Sequence, residues 1–268
     1  MLGLSIMIRS APAPSVIPLC RMDEGDPCLH CTVRHLAVCA ALNEQEMQAL
    51  QQITLAKAVP NGARIARMGE TRNHVYTVTE GALRLVRTLA DGRRQVSGFV
   101  LPGDYLGLGS TGSHRFDVEA IVDSRVCRAP FLQMQELCQH YPHMEHKLLQ
   151  RACEALDMAQ DNALALARLQ PLERLADFLL RLAAREAILG QASSHIWLPM
   201  GRSDIADHLG LTVETVSRTF SRLRQQEIIS MPHLNKVEVL NFCGLQKLAC
   251  EGSNTSTANS ASASSKGA

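Results

Sequence analysis

The sequence predicts an α+β chain with an N-terminal antiparallel β-roll, one long helix, and two short C-terminal helices followed by a β-wing. Three observations predict it. Between Ala63 and Arg128, short β-branched and aliphatic runs alternate with glycine turns. From Pro142 to Leu169 the chain runs without a glycine or an interior proline. The stretch "GRSDIADHLGLTVETVSRTFSRLRQQEIIS" then sets two amphipathic segments on either side of one glycine.

The composition bounds what such a chain can be. With 268 residues, 46% hydrophobic and 20% charged, it has room for two modest globular domains. Lys and Arg total 27 against 26 Asp and Glu, so any nucleic-acid binding must come from local charge rather than a whole-chain basic field. No apolar run reaches the ~18 to 20 residues that cross a bilayer. The apolar start is broken by Arg9, Pro12, Pro14 and Pro18 and lacks the charged beginning and small-residue cleavage pattern of a secretion signal. A cytoplasmic protein with no membrane partner is expected. There, the nine cysteines (Cys20, Cys28, Cys31, Cys39, Cys127, Cys138, Cys153, Cys243 and Cys250) should be thiols or metal ligands.

Along the chain, residues 1–19 are expected as a flexible arm. Residues 251–268, where "GSNTSTANSASASSKGA" offers no large apolar side chain, are expected as a disordered tail. Between them the pattern divides into a cysteine segment with the β-roll (20–141), a long helix (142–170) and a C-terminal domain (171–250). "LNEQEMQALQQI" reads as a helix with Asn43 as N-cap and Met47, Leu50 and Ile53 on one face. In the β-roll, Asp91-Gly92 is a hairpin signal, and Gly81, Gly98, Gly103 and Gly107 mark further bends. Helical pattern returns at Phe131. In the long helix, Leu149, Ala152, Leu156, Ala159, Ala163 and Leu166 follow at three- and four-residue steps, a heptad-like seam suited to dimerisation. The alternative is a helix packed on its own domain. "PLERLADFLLRLAAREAIL" continues helical after Pro171, and Gly190 to Ser194 read as a linker.

The C-terminal pattern is that of a helix-turn-helix. Ser203 to Leu209 form a short helix, Gly210 the turn, and Thr212 caps a longer helix expected through Glu227. Ile205, Ala206, Leu209, Leu211, Val216, Phe220 and Leu223 supply the apolar positions that lock the two helices. Near the start of the second helix stand Glu214, Ser217 and Arg218, where base-reading side chains sit in such motifs. Arg can fork to guanine, Glu can accept from cytosine, and Ser can meet a base or a phosphate. Arg218, Arg222 and Arg224 occur with no acidic residue between 215 and 224, which suits a phosphate-tracking face. A plain solvated Glu214–Arg218 pair is the bland alternative. "EIISMPHLNKVEVLN", reading as a wing, favours DNA.

"DPCLHCTVRHLAVC" places Cys28, Cys31 and Cys39 beside His30 and His35. Soft thiolate donors at this spacing point to a metal centre, and spacing alone leaves iron–sulfur and cysteine–histidine zinc both open. Cys138, Cys153, Cys243 and Cys250 stand singly and read as small hydrophobes.

Over residues 20–245 the chain resembles the CRP/FNR superfamily of bacterial transcription regulators. The likeness is strongest to the FNR branch, through "LTVETVSRTFSRL", "GFVLPGDYLG" and the cysteine segment. The resemblance implies a cyclic-nucleotide-binding-like β-roll sensor, a dimerisation helix and a winged helix-turn-helix. It also implies a Glu-x-x-Ser-Arg reader at Glu214, Ser217 and Arg218 and a homodimer on a palindromic operator of TTGAT half-sites, with RNA polymerase as a partner. It further implies an oxygen-labile [4Fe-4S] cluster held by Cys28, Cys31, Cys39 and, in "AIVDSRVCRAPF", Cys127, controlling genes of low-oxygen metabolism. A set containing Cys20 is conceivable, and Cys127 could instead be a buried strand cysteine. Sensing of a cyclic nucleotide fits poorly, because "GDYLGLGSTGSHRFDVEA" lacks the family's glutamate and Arg-Ser pair: Arg115 is followed by Phe116. A haem sensor would rest on His74 or His114, which have the look of surface histidines. No nucleophile–base pair, phosphate loop or paired carboxylates mark an enzyme.

Overall fold

The computed structural model describes residues 28, 31–109, 112–190 and 194–254. The expected arm, Cys20, His30 and the tail beyond residue 254 lie outside the described residues. A short 3-10 turn at Val38–Ala41 leads into α1 (Glu44–Ile53). The strands β1 (Leu55–Val59), β2 (Arg64–Ala66), β3 (His74–Glu80), β4 (Leu83–Thr88), β5 (Arg94–Val100), β6 (Tyr105–Leu106), β7 (Asp117–Ala120) and β8 (Ser124–Pro130) follow. Then come α2 (Phe131–His140), α3 (Pro142–Arg168), α4 (Pro171–Ile188), β9 (His195–Trp197), α5 (Arg202–Leu209), α6 (Val213–Gln225), β10 (Ile229–His233), β11 (Lys236–Val239) and α7 (Phe242–Asn254).

The β-roll is two antiparallel four-stranded sheets, ordered β1-β8-β3-β6 and β2-β7-β4-β5. Alternating side chains of Tyr76, Val78, Leu83, Val100, Val118, Ala120 and Val126 fill the space between them. Asp91-Gly92 turns β4 into β5, with Gly92 at φ 83° and Thr88 opposite Arg94. At Gly81 (φ 81°) the chain leaves one sheet for the other so tightly that an added Cβ would stand 2.3 Å from the Ser124 Oγ. The same Oγ accepts from the Ala82 N–H at 3.0 Å, so this crossing is pinned from both sides.

The helices attach by amphipathic faces. Asn43 caps α1 in a reciprocal box, accepting from the Glu46 N–H while the Glu46 carboxylate accepts from the Asn43 N–H. α1, α2, the Cys39 turn and the start of α3 share one apolar cluster around Val38, Met47, Leu50, Met134 and Met144. The C-terminal core is a second cluster, in which α4, α5, α6 and the wing bury Leu175, Leu179, Ile205, Phe220 and Leu223. Ala82 and Leu101 of the β-roll join it, so the two halves of the chain are packed against each other. Polar contacts reinforce this docking. Arg84 on β4 forks to Asp204 on α5 at 2.8 and 3.1 Å, and Gln95 donates to the Asp207 carbonyl. Phe99, Phe178 and His208 stack edge-on and tilted at 5.2–6.0 Å between ring centres. Burial there holds the His208 imidazole below the usual histidine range.

Several sequence expectations need correction. The β pattern starts earlier than Ala63: β1 was unreadable because four of its five residues are exposed and only Val59 is buried, which leaves no alternation. β9 lies in the stretch after the expected linker and completes a β10-β11-β9 wing sheet. Gly98 is no bend. It sits inside β5 opposite Leu85, where the register shifts between Leu85 and Val86. The second helix of the motif ends at Gln225, because Glu227 takes a left-handed φ of 54°. The tail expected from residue 251 overlaps α7, which continues to Asn254. A running helix extends cheaply, each added residue gaining one hydrogen bond.

Gly81 and Gly62 share a left-handed φ, but nothing lies within 4 Å of a Cβ at Gly62. Gly81→Ala should therefore cost ~1 to 3 kcal/mol more than Gly62→Ala, the penalty of overpacking. Urea unfolding of the two variants checks this, and equal losses would remove the steric account of the crossing.

Candidate cysteine cluster and nucleic-acid interface

Cys28 and Cys31 lie in the segment ahead of the 3-10 turn that carries Cys39, and Cys127 lies on β8 between Ala56 of β1 and Thr77 of β3. None of the four is in a disulfide. Burial pushes the Cys127 thiol up to about 12, and Cys39, Cys28 and Cys31 push in the same direction, against a lowering hydrogen bond with Thr54. Burial likewise raises Cys39 to about 11, with Cys28 and Cys31 adding and the Arg34 charge opposing. Cys39 and Cys127, from two remote parts of the chain, thus both lie within electrostatic reach of Cys28 and Cys31. Among the described residues, no three Cys, His, Asp or Glu side chains stand close enough to hold a single metal ion. A single zinc would draw its ligands to ~2.0–2.3 Å of one point. A [4Fe-4S] cube instead takes four cysteines at separate corners, and this all-sulfur donor set suits it. His35, the described histidine of the segment, is exposed.

The segment is tied to the long helix. Arg151 on α3 donates to the Leu36 carbonyl, three residues before Cys39, and pairs with Glu154 at 2.7 Å. Leu36 in turn packs on Gly103, where a Cβ would meet its side chain at 2.9 Å. Nothing in the sequence signals this, because Arg151 and its acceptor are separated by 115 residues.

α3 buries only Met144. Of the seam residues, Leu149 and Leu156 are 61% and 57% exposed, Ala159, Ala163 and Leu166 are exposed, and Ala152 is half-buried. The seam thus lies open along most of the helix within one chain.

In the C-terminal part, Gly210 ends α5 in the left-handed conformation (φ 63°, ψ 41°), and Thr212 caps α6, its Oγ1 accepting from the Thr215 N–H at 3.2 Å. Such a cap contributes ~1 kcal/mol. Val216, Phe220 and Leu223 turn inward against Ile205, Ala206 and Leu209, with Leu211 packed alongside. Glu214, Ser217, Arg218 and Arg222 are left exposed. Backbone and Thr212 hydrogen bonds, with the Arg218 charge adding, hold the Glu214 carboxyl below the usual carboxylate range. It is an acceptor at neutral pH. Behind this face, the guanidinium of Arg202 lies 3.4 Å from the Phe220 ring centre and fixes α5 on α6.

A β-roll joined through a long helix to a winged helix-turn-helix is the build of a signal-controlled DNA-binding regulator. Residues 173–248 match the Crp-like helix-turn-helix domain, and residues 56–141 match the cyclic nucleotide-binding domain. The chain is 36% identical to the nitrogen fixation regulation protein FixK of Bradyrhizobium diazoefficiens over 82% of its own length and 92% of that protein's. It is 34% identical to the transcriptional activator protein FnrL of Cereibacter sphaeroides, covering 84% of this chain and 93% of that one. The structure of FixK2 from Bradyrhizobium japonicum superposes with a TM-score of 0.69 at 35% identity, over 73% of this chain and 97% of that chain. The chain belongs to the CRP/FNR superfamily of transcription regulators, and its role is DNA binding rather than catalysis. No helix among the described residues is long and apolar enough to cross a membrane.

Proposed function

We propose that this chain is an oxygen-responsive regulator of the FNR branch. It holds a [4Fe-4S] cluster through Cys28, Cys31, Cys39 and Cys127. With the cluster intact it binds a palindromic TTGAT-type site as a homodimer in the cytoplasm, controlling genes of low-oxygen metabolism together with RNA polymerase. The observation that carries this reading is that Cys39 and Cys127, from remote parts of the chain and each pushed up by burial, are both pushed further up by Cys28 and Cys31. A buried thiolate needs a compensating cation, and iron supplies one. When bound, the cluster contributes iron–sulfur bonds that oxygen breaks.

The chain's own residues supply the rest. Arg151 fixes the Cys39 turn to α3 through Leu36, so the order of the cysteine segment and the placing of α3 are linked. The seam Leu149, Ala152, Leu156, Ala159, Ala163 and Leu166 forms the dimer contact. Its three alanines bury little area against ~0.8 kcal/mol per CH₂ group, which makes the dimer marginal. A marginal dimer is one that a signal can control, since ~5.5 kcal/mol of bias moves an equilibrium from 1:99 to 99:1. Dimerisation sets two α6 helices one DNA turn apart, and Thr212, Glu214, Ser217, Arg218 and Arg222 then face the duplex.

Three experiments test this. Purified without air, the protein should be brown with visible absorption, and serine at Cys28, Cys31, Cys39 or Cys127 should abolish the colour and iron content, whereas Cys20→Ser should not. A colourless protein with stoichiometric zinc sinks the cluster, and loss with Cys20→Ser but retention with Cys39→Ser reassigns its ligands. On DNA, Arg218→Ala should cost ~1 to 3 kcal/mol of specific binding and relax preference at one base, while Arg222→Ala should weaken all sequences alike and flatten the salt slope by about one unit. Equal losses on specific and random DNA would make Arg218 a backbone contact. Leu156→Asp, which sets a charge in the seam, should give a monomer with its cluster preserved. An unchanged dimer in sedimentation would place the subunit contact on another surface.

A further inference from the structure

One guanidinium joins the end of the long helix to the turn of the DNA-reading motif. Arg174, on the first turn of α4, donates through Nη2 to the Leu166 carbonyl at 2.9 Å and through Nε to the Leu169 carbonyl at 2.8 Å. Its Nη1 donates to the Leu209 carbonyl at 2.9 Å. Leu166 and Leu169 close α3, and Leu209 is the last residue of α5. These carbonyls belong to helix ends, which lack partners further along their own helices and carry the negative pole of the helix dipole. A delocalised fork with donors in fixed directions can serve both ends at once, which a point-charge ammonium cannot.

The contact sits where it matters for geometry. The residue after Leu209 is Gly210, whose added Cβ would stand 3.5 Å from Leu166 Cδ2 and 3.7 Å from Arg174 Nη1. Two residues later Thr212 starts α6. The turn that aims α6 is therefore seated on the last turn of α3 and held there by Arg174. A second arginine on α4, Arg181, reaches Asp161 on α3 at 3.6 Å while pairing with Asp177 at 2.9 Å, so the α3–α4 angle is braced at two levels.

We infer that Arg174 is a positioning residue that sets the aim of α6 against α3, and through it the half-site spacing at which the protein binds. The inference rests on the proposed reading of α3 as the dimer seam and α6 as the DNA reader. Arg174 itself touches no DNA in this account. Its role is to make two reading helices keep one separation, because a base pair inserted between half-sites moves one of them by about 3.4 Å along the duplex.

The test uses the full chain purified without air and three DNA probes: a TTGAT palindrome at its best spacing, the same palindrome with one base pair added or removed, and a single half-site. Wild-type protein should lose at least about tenfold in affinity when the spacing is changed, since geometry then forbids both helices to engage. Arg174→Gln should lose affinity at the best spacing, keep that for the single half-site within about twofold, and so show a flattened preference between spacings. Arg174→Lys keeps the charge without the fork and should flatten the preference as well. An Arg174→Gln protein with the wild-type spacing profile overturns the inference while leaving the dimeric reading intact. A wild type indifferent to spacing overturns both. Should Arg174→Gln lose the single half-site too, the Lys variant decides: a flattened profile supports the positioning role, and an unchanged optimum ends it.

Discussion

The structure hangs on a helix that cannot bury its own apolar seam. α3 runs for 27 residues and places one of them, Met144, in a core. A solvent-facing helix of this length normally carries charge around its outer face, yet here Leu149, Leu156, Met158, Leu164 and Leu166 are exposed. Within one chain it is held only near its two ends: by Met144, Leu148 and Arg151 where the cysteine segment crosses it, and by Arg174 and Arg181 where α4 folds back. The open stretch between those anchors is the surface that the proposed dimer would cover. A change at the cysteine end and a change in the aim of α6 thus share one rigid element.

Arginine does most of the joining between units, and its chemistry explains why. Arg84 meets Glu119 at 2.9 Å and Asp204 at 2.8 Å, linking β4, β7 and α5. Burial pushes the Glu119 carboxyl up, but hydrogen bonds from Arg64 and Arg84 outweigh it and hold the group below the usual carboxylate range. Arg185 reaches Asp104 at 2.7 Å and the Pro102 carbonyl at 2.9 Å, binding α4 to the turn between β5 and β6. A guanidinium offers donors in fixed directions that match carboxylate and carbonyl acceptors. Arg84 donates through all three of its nitrogens, whereas the Nε atoms of Arg151 and Arg185 are buried without a partner. Buried polar contacts of this kind fix orientation more than they add stability.

What the sequence revealed follows from how local each signal is. The turn Gly210, the cap Thr212 and the inward run Val216, Phe220, Leu223 are set by neighbours a few residues away, so the helix-turn-helix was legible almost residue by residue. The Asp91-Gly92 hairpin was legible for the same reason. β1 was not, because its place depends on pairing Leu55 to Val59 with Arg128 to Ser124, and an exposed edge strand carries no periodicity. The three N-terminal cysteines could be grouped from spacing, whereas adding Cys127 took the family resemblance, since only the β1-β8-β3 pairing brings that strand beside them. Arg151 and Arg174 were invisible: their acceptors are backbone carbonyls, which every residue has, at distant points of the chain.

The cysteine site closes the physical chain from sequence to regulation. A thiol raised to about 11 or 12 is protonated at neutral pH, and two such groups in one buried place are stable only as neutral SH or as ligands whose charge a metal balances. Under the proposed reading, metal-free and metal-bound forms would differ in the charge carried between the Cys39 turn and β8. Cys39 sits three residues from the carbonyl that Arg151 holds, in a turn whose Val38 packs with Met144 of α3. On the same proposed reading, loss of iron from Cys28, Cys31 and Cys39 would act on that turn, because residues Val38 to Ala41 link this segment to α1. The turn is one 3-10 unit without a side-chain cap. In the proposed mechanism, ligand loss would act on this turn first and on α3, which packs against it, next.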